Sequence, residues 1–195
     1  MSHHGVEYLF SRSWMDNVDF SQTDSVFICG LEVEDRDGNE IIDFVYEHPE
    51  LELYFAPGPR INNIPLERVE NLLRRRDNLG KGPFLHLNKT EACGFSGKNS
   101  IEEAAEFLAR QTANSTVITL GEQGCYCLLK AGDTGLYIPP FNTEVVDTVG
   151  TGDAHCGTLI ACLKNGMPLD EACLTANKAG AAVAGIRGAV LDRLP

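Results

Sequence analysis

Four short runs of the chain, Val26–Cys29, Leu51–Ala56, Phe84–Leu87 and Thr116–Leu120, are apolar at nearly every position, so neither face of such a strand can be left to water. Parallel sheets covered by helices above and below meet that demand. Helical patterns separate the runs: Glu40–His48, Pro65 to about Leu79, and Ile101–Thr112. The last is opened by Ser100 with Glu103 three residues on, the spacing of a capping box. The expected order up to Leu120 is therefore βαβαβαβ.

After Gly121 the pattern changes. Cys125–Lys130 and Gly135–Pro139 flank Ala131-Gly132-Asp133-Thr134, which reads as a hairpin loop and adds an antiparallel edge. Two helices follow, Asp153–Asn165, closed by Gly166 and Pro168, and Leu169 to about Gly185. Apolar stripes at 156, 159, 160 and 163 and at 169, 172, 173, 176, 180 and 183 predict that they pack as an antiparallel pair. The expected fold class is α/β, a doubly wound, mostly parallel, three-layer sheet with an antiparallel edge hairpin. With 195 residues, no internal repeat, no low-complexity segment and no linker, residues 1–195 read as a single domain.

Charge narrows the partners. Sixteen basic against 28 acidic side chains give a formal net charge of −12, which repels nucleic acid and anionic membranes at long range. Any phosphate must then be held by local donors. Apolar runs reach about six residues, short of the roughly 20 that a membrane helix needs, and Met1–Gly5 carries neither the basic nor the apolar stretch of a secretory signal. Seven cysteines at 29, 93, 125, 127, 156, 162 and 173, with no Cys-x-x-Cys pair, fit a thiol-reducing cytoplasm. Cys125 and Cys127 would share one face of a strand, and packing is favoured over metal ligation there, since two further ligands at finger-like spacing are missing.

The segment Val145-Val146-Asp147-Thr148-Val149-Gly150-Thr151-Gly152-Asp153 runs from an extended stretch into a helix, with glycines at the junction. Converging backbone N–H groups and the positive end of a helix can hold phosphate charge there without basic side chains. Asp153 falls in the first helical turn, where a carboxylate either accepts a hydroxyl proton during phosphoryl transfer or simply caps the helix. Two better-known phosphate motifs fail. Gly94-Phe95-Ser96-Gly97-Lys98-Asn99-Ser100 has P-loop glycines two positions too close and Asn99 where Ser or Thr belongs, and reads as a loop. Gly150-x-Gly152 meets its next glycine at 157, so the dinucleotide fingerprint fails too, which disfavours a nicotinamide enzyme.

The stretch Asp147–Ala154 resembles the C-terminal signature of the ribokinase-like carbohydrate kinases, the phosphofructokinase-B type. Asn88-Lys89-Thr90-Glu91 resembles that family's Asn-x-x-Glu motif, Thr119–Gly124 its nucleotide-side strand and turn, and Ala176–Gly180 with Gly188-Ala189 its closing helix and loop. The resemblance spans roughly Ser25 to Pro195. It implies ATP-dependent phosphorylation of a sugar or nucleoside hydroxyl, with Asp153 as the base and Gly150, Thr151 and Gly152 lending amides to an anion hole. Asn88 and Glu91 would order water around magnesium and the phosphates. Thr119, Gly121 and Gly124 would border the nucleotide and Asn177 would lie near the adenine or ribose, while Asp147 and the Val149 carbonyl would hold a monovalent cation such as K+. Taken alone, Asn88 and Glu91 read as a strand-end turn and a surface acid, and the others as ordinary turn or helix packing.

Three features depart from the family pattern. His155-Cys156 stands where the family usually has an aromatic residue, and a His there is expected to pack. Ala56-Pro57-Gly58-Pro59-Arg60 lacks the Asp of a family strand end, so Arg60 either approaches the phosphates or, the favoured reading, is a solvated loop charge. No adjacent glycine pair occurs and nothing before Ser25 resembles the family's first strand and sugar-covering lid, so the N-terminal part of the fold and the lid are expected to be absent. An open sheet edge would follow, inviting a homodimer, and the alternative function is a non-catalytic nucleotide-binding or dimerising remnant.

Overall fold

The computed structural model describes residues 11–34 and 38–190. Six strands, β1 (Ser25–Cys29), β2 (Glu52–Ala56), β3 (Phe84–Asn88), β4 (Thr116–Thr119), β5 (Cys125–Leu128) and β6 (Leu136–Ile138), form one sheet in sequence order. The first four are mutually parallel, and β5 and β6 are antiparallel to their neighbours, which gives the expected hairpin edge. Helices α1 (Gly30–Glu34), α2 (Gly38–Glu47), α3 (Leu66–Arg74), α4 (Lys89–Ser96) and α5 (Ile101–Thr112) lie between the parallel strands. Helices α6 (Thr151–Lys164) and α7 (Leu169–Ala184) follow the hairpins and pack against each other.

Alternation along the strands assigns the two faces. Leu53, Phe55, Leu85, Leu87, Ile118 and Leu128 join one core with Val45 of α2, Leu72 of α3 and Leu108 of α5. Their neighbours Tyr54, Phe84, Val117, Cys125, Cys127 and Ile138 join a second core with Leu159 of α6 and Cys173 and Ala176 of α7. Parallel strands laid down in order, each reached by a right-handed crossover, keep α2 to α5 on one face, and the hairpins let α6 and α7 cover the other. Complete burial of Leu72, Leu108 and Leu159 stabilises this arrangement by about 2 kcal/mol apiece. At β1, which pairs only with β2 among the described residues, the second face is open and Phe27 is 49% exposed.

Two elements differ from the sequence expectation. The helix predicted to run to Leu79 ends at Arg74, because Arg75 turns extended (ψ 139°) and sends its guanidinium inward. That group donates to the carbonyls of Val45 (3.1 Å), His48 (2.8 Å) and Leu51, serving acceptors at the end of α2 and in the turn into β2, where the His48 carbonyl also takes the Leu51 amide at 3.2 Å. The loop predicted over residues 94–100 is half helix: α4 runs to Ser96 and ends on Gly97 in the left-handed region (φ 66°). Ser100 then caps α5, its hydroxyl accepting from the Glu103 amide at 3.2 Å.

Candidate active site

The parallel strands all end at one edge of the sheet, where open α/β folds collect their ligands. Asn88 ends β3 beside Thr119, which ends β4, and the turn that follows holds Gly121 (φ 62°) and Gly124 (φ 85°). A Cβ on Gly124 would stand 2.1 Å from the Ile138 carbonyl oxygen, so that turn can close onto β6 only with glycine.

Asn88 and Glu91 build a reciprocal cap on α4. The Asn88 side-chain oxygen accepts from the Glu91 amide at 2.9 Å, and the Glu91 carboxylate accepts from the Asn88 amide at 3.0 Å and from its side-chain nitrogen at 2.6 Å. Glu91 is buried rather than on the surface, and burial pushes its carboxyl above the usual range.

The glycine-rich segment turns into α6 at the same end of the sheet. Gly150 caps the helix in the left-handed region (φ 81°), with the place of a Cβ 2.5 Å from Ala189 Cβ. The Thr151 hydroxyl donates to the Thr148 carbonyl at 2.7 Å, and the Thr151 amide reaches the same oxygen at 3.3 Å. The first helical bond is Ala154 N–H to the Gly150 carbonyl at 2.9 Å. Among the described residues no acceptor of the chain meets the N–H groups of Gly152 and Asp153. Asp147 pins the turn from behind, accepting from the Val149 and Gly188 amides, each at 3.1 Å, and those bonds hold its carboxyl below the usual aspartate range. The exposed Asp153 faces a groove of about 320 Å³ between α6 and α7, walled by Gly157, Thr158, Ala179, Val183 and Ala189. A cavity of about 330 Å³ lies at the opposite end of the sheet, bordered by Glu52, Lys81, Phe84 and Met167 and by Pro168 and Leu169 at the start of α7.

Pattern comparison decides the family. Residues 75–195 match the pfkB family carbohydrate kinases. The chain belongs to that family. An uncharacterized sugar kinase of Escherichia coli K12, YegV, is 28% identical over 192 residues, which are 96% of this chain and 57% of YegV. This pfkB chain thus spans a little over half the length of that curated relative. The fold is shared with a Vibrio cholerae fructokinase solved with fructose, ADP and calcium (TM-score 0.73, 20% identity, 93% of this chain and 60% of that one). It is shared also with a putative ribokinase II of Escherichia coli solved with ATP and magnesium (TM-score 0.71, 18% identity, 92% and 56%).

Within the pfkB chain, the residues singled out from the sequence fall into two groups. Asn88, Thr119, Gly121 and Gly124 share the ends of β3 and β4, and Asp147, Gly150, Thr151, Gly152 and Asp153 form the turn into α6. A buried contact joins the groups: His86, two residues before Asn88, meets His155, two residues after Asp153, at 2.9 Å. Asn177 faces inward, bonded to His155 (3.1 Å) and to the carbonyls of Ile138 (3.3 Å) and Pro139 (2.9 Å). Arg60 is not a solvated charge, since Glu34 of α1 pairs with it at 2.8 Å. Sequence reasoning passed over His86, although a lone polar residue inside a run buried on both faces was a readable sign.

Among the described residues no group of three His, Cys, Asp or Glu side chains is placed to hold a metal, and no helix is long and apolar enough to cross a membrane. Magnesium carried on phosphates keeps most of its waters and asks the protein for only one or two carboxylates, a demand that Glu91 at the end of β3 can meet through water.

Proposed function

We propose that the chain, as one domain, transfers the terminal phosphoryl group of ATP to a hydroxyl of a sugar or nucleoside. The observation that carries this reading is the pair of unpartnered amides at Gly152 and Asp153 beside the exposed Asp153 carboxylate, in a turn held by Asp147 and Gly150. Asp153 accepts the proton of the acceptor hydroxyl as its oxygen bonds to the γ-phosphorus, and the bond from that phosphorus to the β–γ bridging oxygen breaks to release ADP. The free amides of Gly152 and Asp153, at the positive end of α6, offset charge on the migrating group without any basic side chain, which suits a chain of net charge −12, whereas the Thr151 amide, one of the expected trio, meets the Thr148 carbonyl. Glu91 and Asn88 orient water at the end of β3, and magnesium on the phosphates supplies further neutralisation when bound. Thr119, Gly121 and Gly124 border the nucleotide, and Asp147 with the Val149 carbonyl offers oxygens to a monovalent cation.

The test is phosphorylation of a panel of sugars and nucleosides with ATP and magnesium, followed by ³¹P NMR, on the chain and on Asp153→Asn. Turnover is expected to fall about 10²- to 10⁴-fold with nucleotide Kd nearly unchanged. Unchanged turnover would remove Asp153 as the base. ATP binding by the unaltered chain without product on any acceptor would favour a non-catalytic nucleotide-binding module instead.

A further inference from the structure

Helix α6 has an anchoring problem at the end that matters. Of its 14 residues only His155, Cys156 and Leu159 are buried, and its first turn, Thr151-Gly152-Asp153-Ala154, offers no large apolar side chain to fasten it to the sheet. His155 is the first residue that reaches the interior. It is 5% exposed, between His86 of β3 at 8% and Asn177 of α7 at 7%.

The donors and acceptors fix one proton arrangement. The Asn177 side-chain nitrogen spends its two hydrogens on the carbonyls of Ile138 and Pro139, so its oxygen turns to His155. That oxygen can only accept, so His155 carries its hydrogen on Nε2. His155 Nδ1 is then a bare acceptor, and His86 donates to it from Nε2. His86, His155 and Asn177 thus pass hydrogen bonds in a single direction, from the middle of β3, through α6 and α7, to the chain leaving β6, with the Cys125 thiol beside His155 and Asn177. Burial and the neighbouring ring push the His86 pKa down to about 3, which keeps that ring uncharged.

We propose that His86, His155 and Asn177 are positioning residues: their one-way hydrogen-bond chain holds the first turn of α6, with Asp153 and the phosphate-facing amides, in fixed register with the ends of β3 and β6. The Asn177 side chain on this assignment acts through Ile138, Pro139 and His155. The consequence for turnover rests on the kinase reading above, whereas the chain of bonds does not.

The experiment separates the two. Nitrogen-15 NMR of the imidazoles in the full chain is expected to find both His86 and His155 protonated on Nε2 and bare on Nδ1. Asn177→Leu is expected to mix the His155 tautomers and to speed hydrogen exchange of the Ala154 amide by about tenfold, because its bond to the Gly150 carbonyl closes the first turn. A His155 protonated on Nδ1, or a tautomer and exchange rate unmoved by Asn177→Leu, would overturn the proposal, and the tautomer of the unaltered chain decides it if that variant does not fold. In the kinase assay His155→Leu is expected to lower kcat by about 10- to 100-fold with little change in nucleotide Kd. His155→Gln, which offers one acceptor and one donor, is expected to recover most of it. A Gln variant as slow as the Leu variant would also count against the proposal, whereas absence of product from the unaltered chain would sink the kinase reading alone.

Discussion

At Gly150, backbone conformation and crowding make the same demand. Its φ of 81° lies where side chains are strained, and a Cβ would meet Ala189 at 2.5 Å, so Gly150→Ala must shift either the turn or the 185–190 loop. The expected cost is about 1–3 kcal/mol of stability, read in urea, together with a loss of ADP affinity. Asp147 governs the same turn through charge. Because its carboxyl is held below the usual aspartate value by two backbone donors, the stability it lends is complete above that value and is lost as pH falls through the lowered one. Asn can accept only one of the two bonds, so melting curves of the chain and of Asp147→Asn are expected to differ at pH 7 and to converge in acid. Glu91, raised by burial, has the opposite sign and loses its contribution as pH climbs past the usual glutamate range. The glycine-rich turn into α6 was legible because glycine spacing is a backbone statement, made by the sequence itself. The bond from His86 to His155 joins residues 69 positions apart and depends on where β3 and α6 meet, which no local pattern records.

Among the elements, strands were easiest to read, since a run of four to six apolar residues is too short for a helix and suits a strand covered on both faces. The two helical errors share a cause: side chains satisfying backbone groups at helix ends. Arg75 resembles the exposed arginines around it, yet it leaves α3 to serve the end of α2, so α3 stops early. Arg75→Met would keep the bulk and strip the buried Val45 and Leu51 carbonyls of the Arg75 donor, while the His48 carbonyl keeps the Leu51 amide. The expected loss is about 3 kcal/mol or more, measured as a shift of the urea midpoint. The Asn88 and Glu91 side chains suit magnesium-bound water as well as they suit a helix cap, and the three-residue spacing that starts α4 is hidden behind the first of those roles. Ser100→Ala is a milder check, expected to cost about 1 kcal/mol by removing the cap of α5.

For the molecule as a whole, the order of strands decides where ligands can act. Four parallel strands end on one side, and the hairpins carry the chain across the other face, so that α6 begins beside those ends. If the chain is one domain, calorimetry is expected to show a single transition whose calorimetric and van't Hoff enthalpies agree, whereas two transitions would divide it. The phosphate site itself is best observed directly, without knowledge of the acceptor. Nitrogen-15 spectra of the chain titrated with magnesium ADP and aluminium fluoride, a mimic of the migrating phosphoryl group, should show their largest amide shifts at Gly150–Asp153. Saturable binding with those amides unmoved, and the largest shifts at 94–100 or around Lys81, would contradict the placement of phosphoryl transfer at the start of α6.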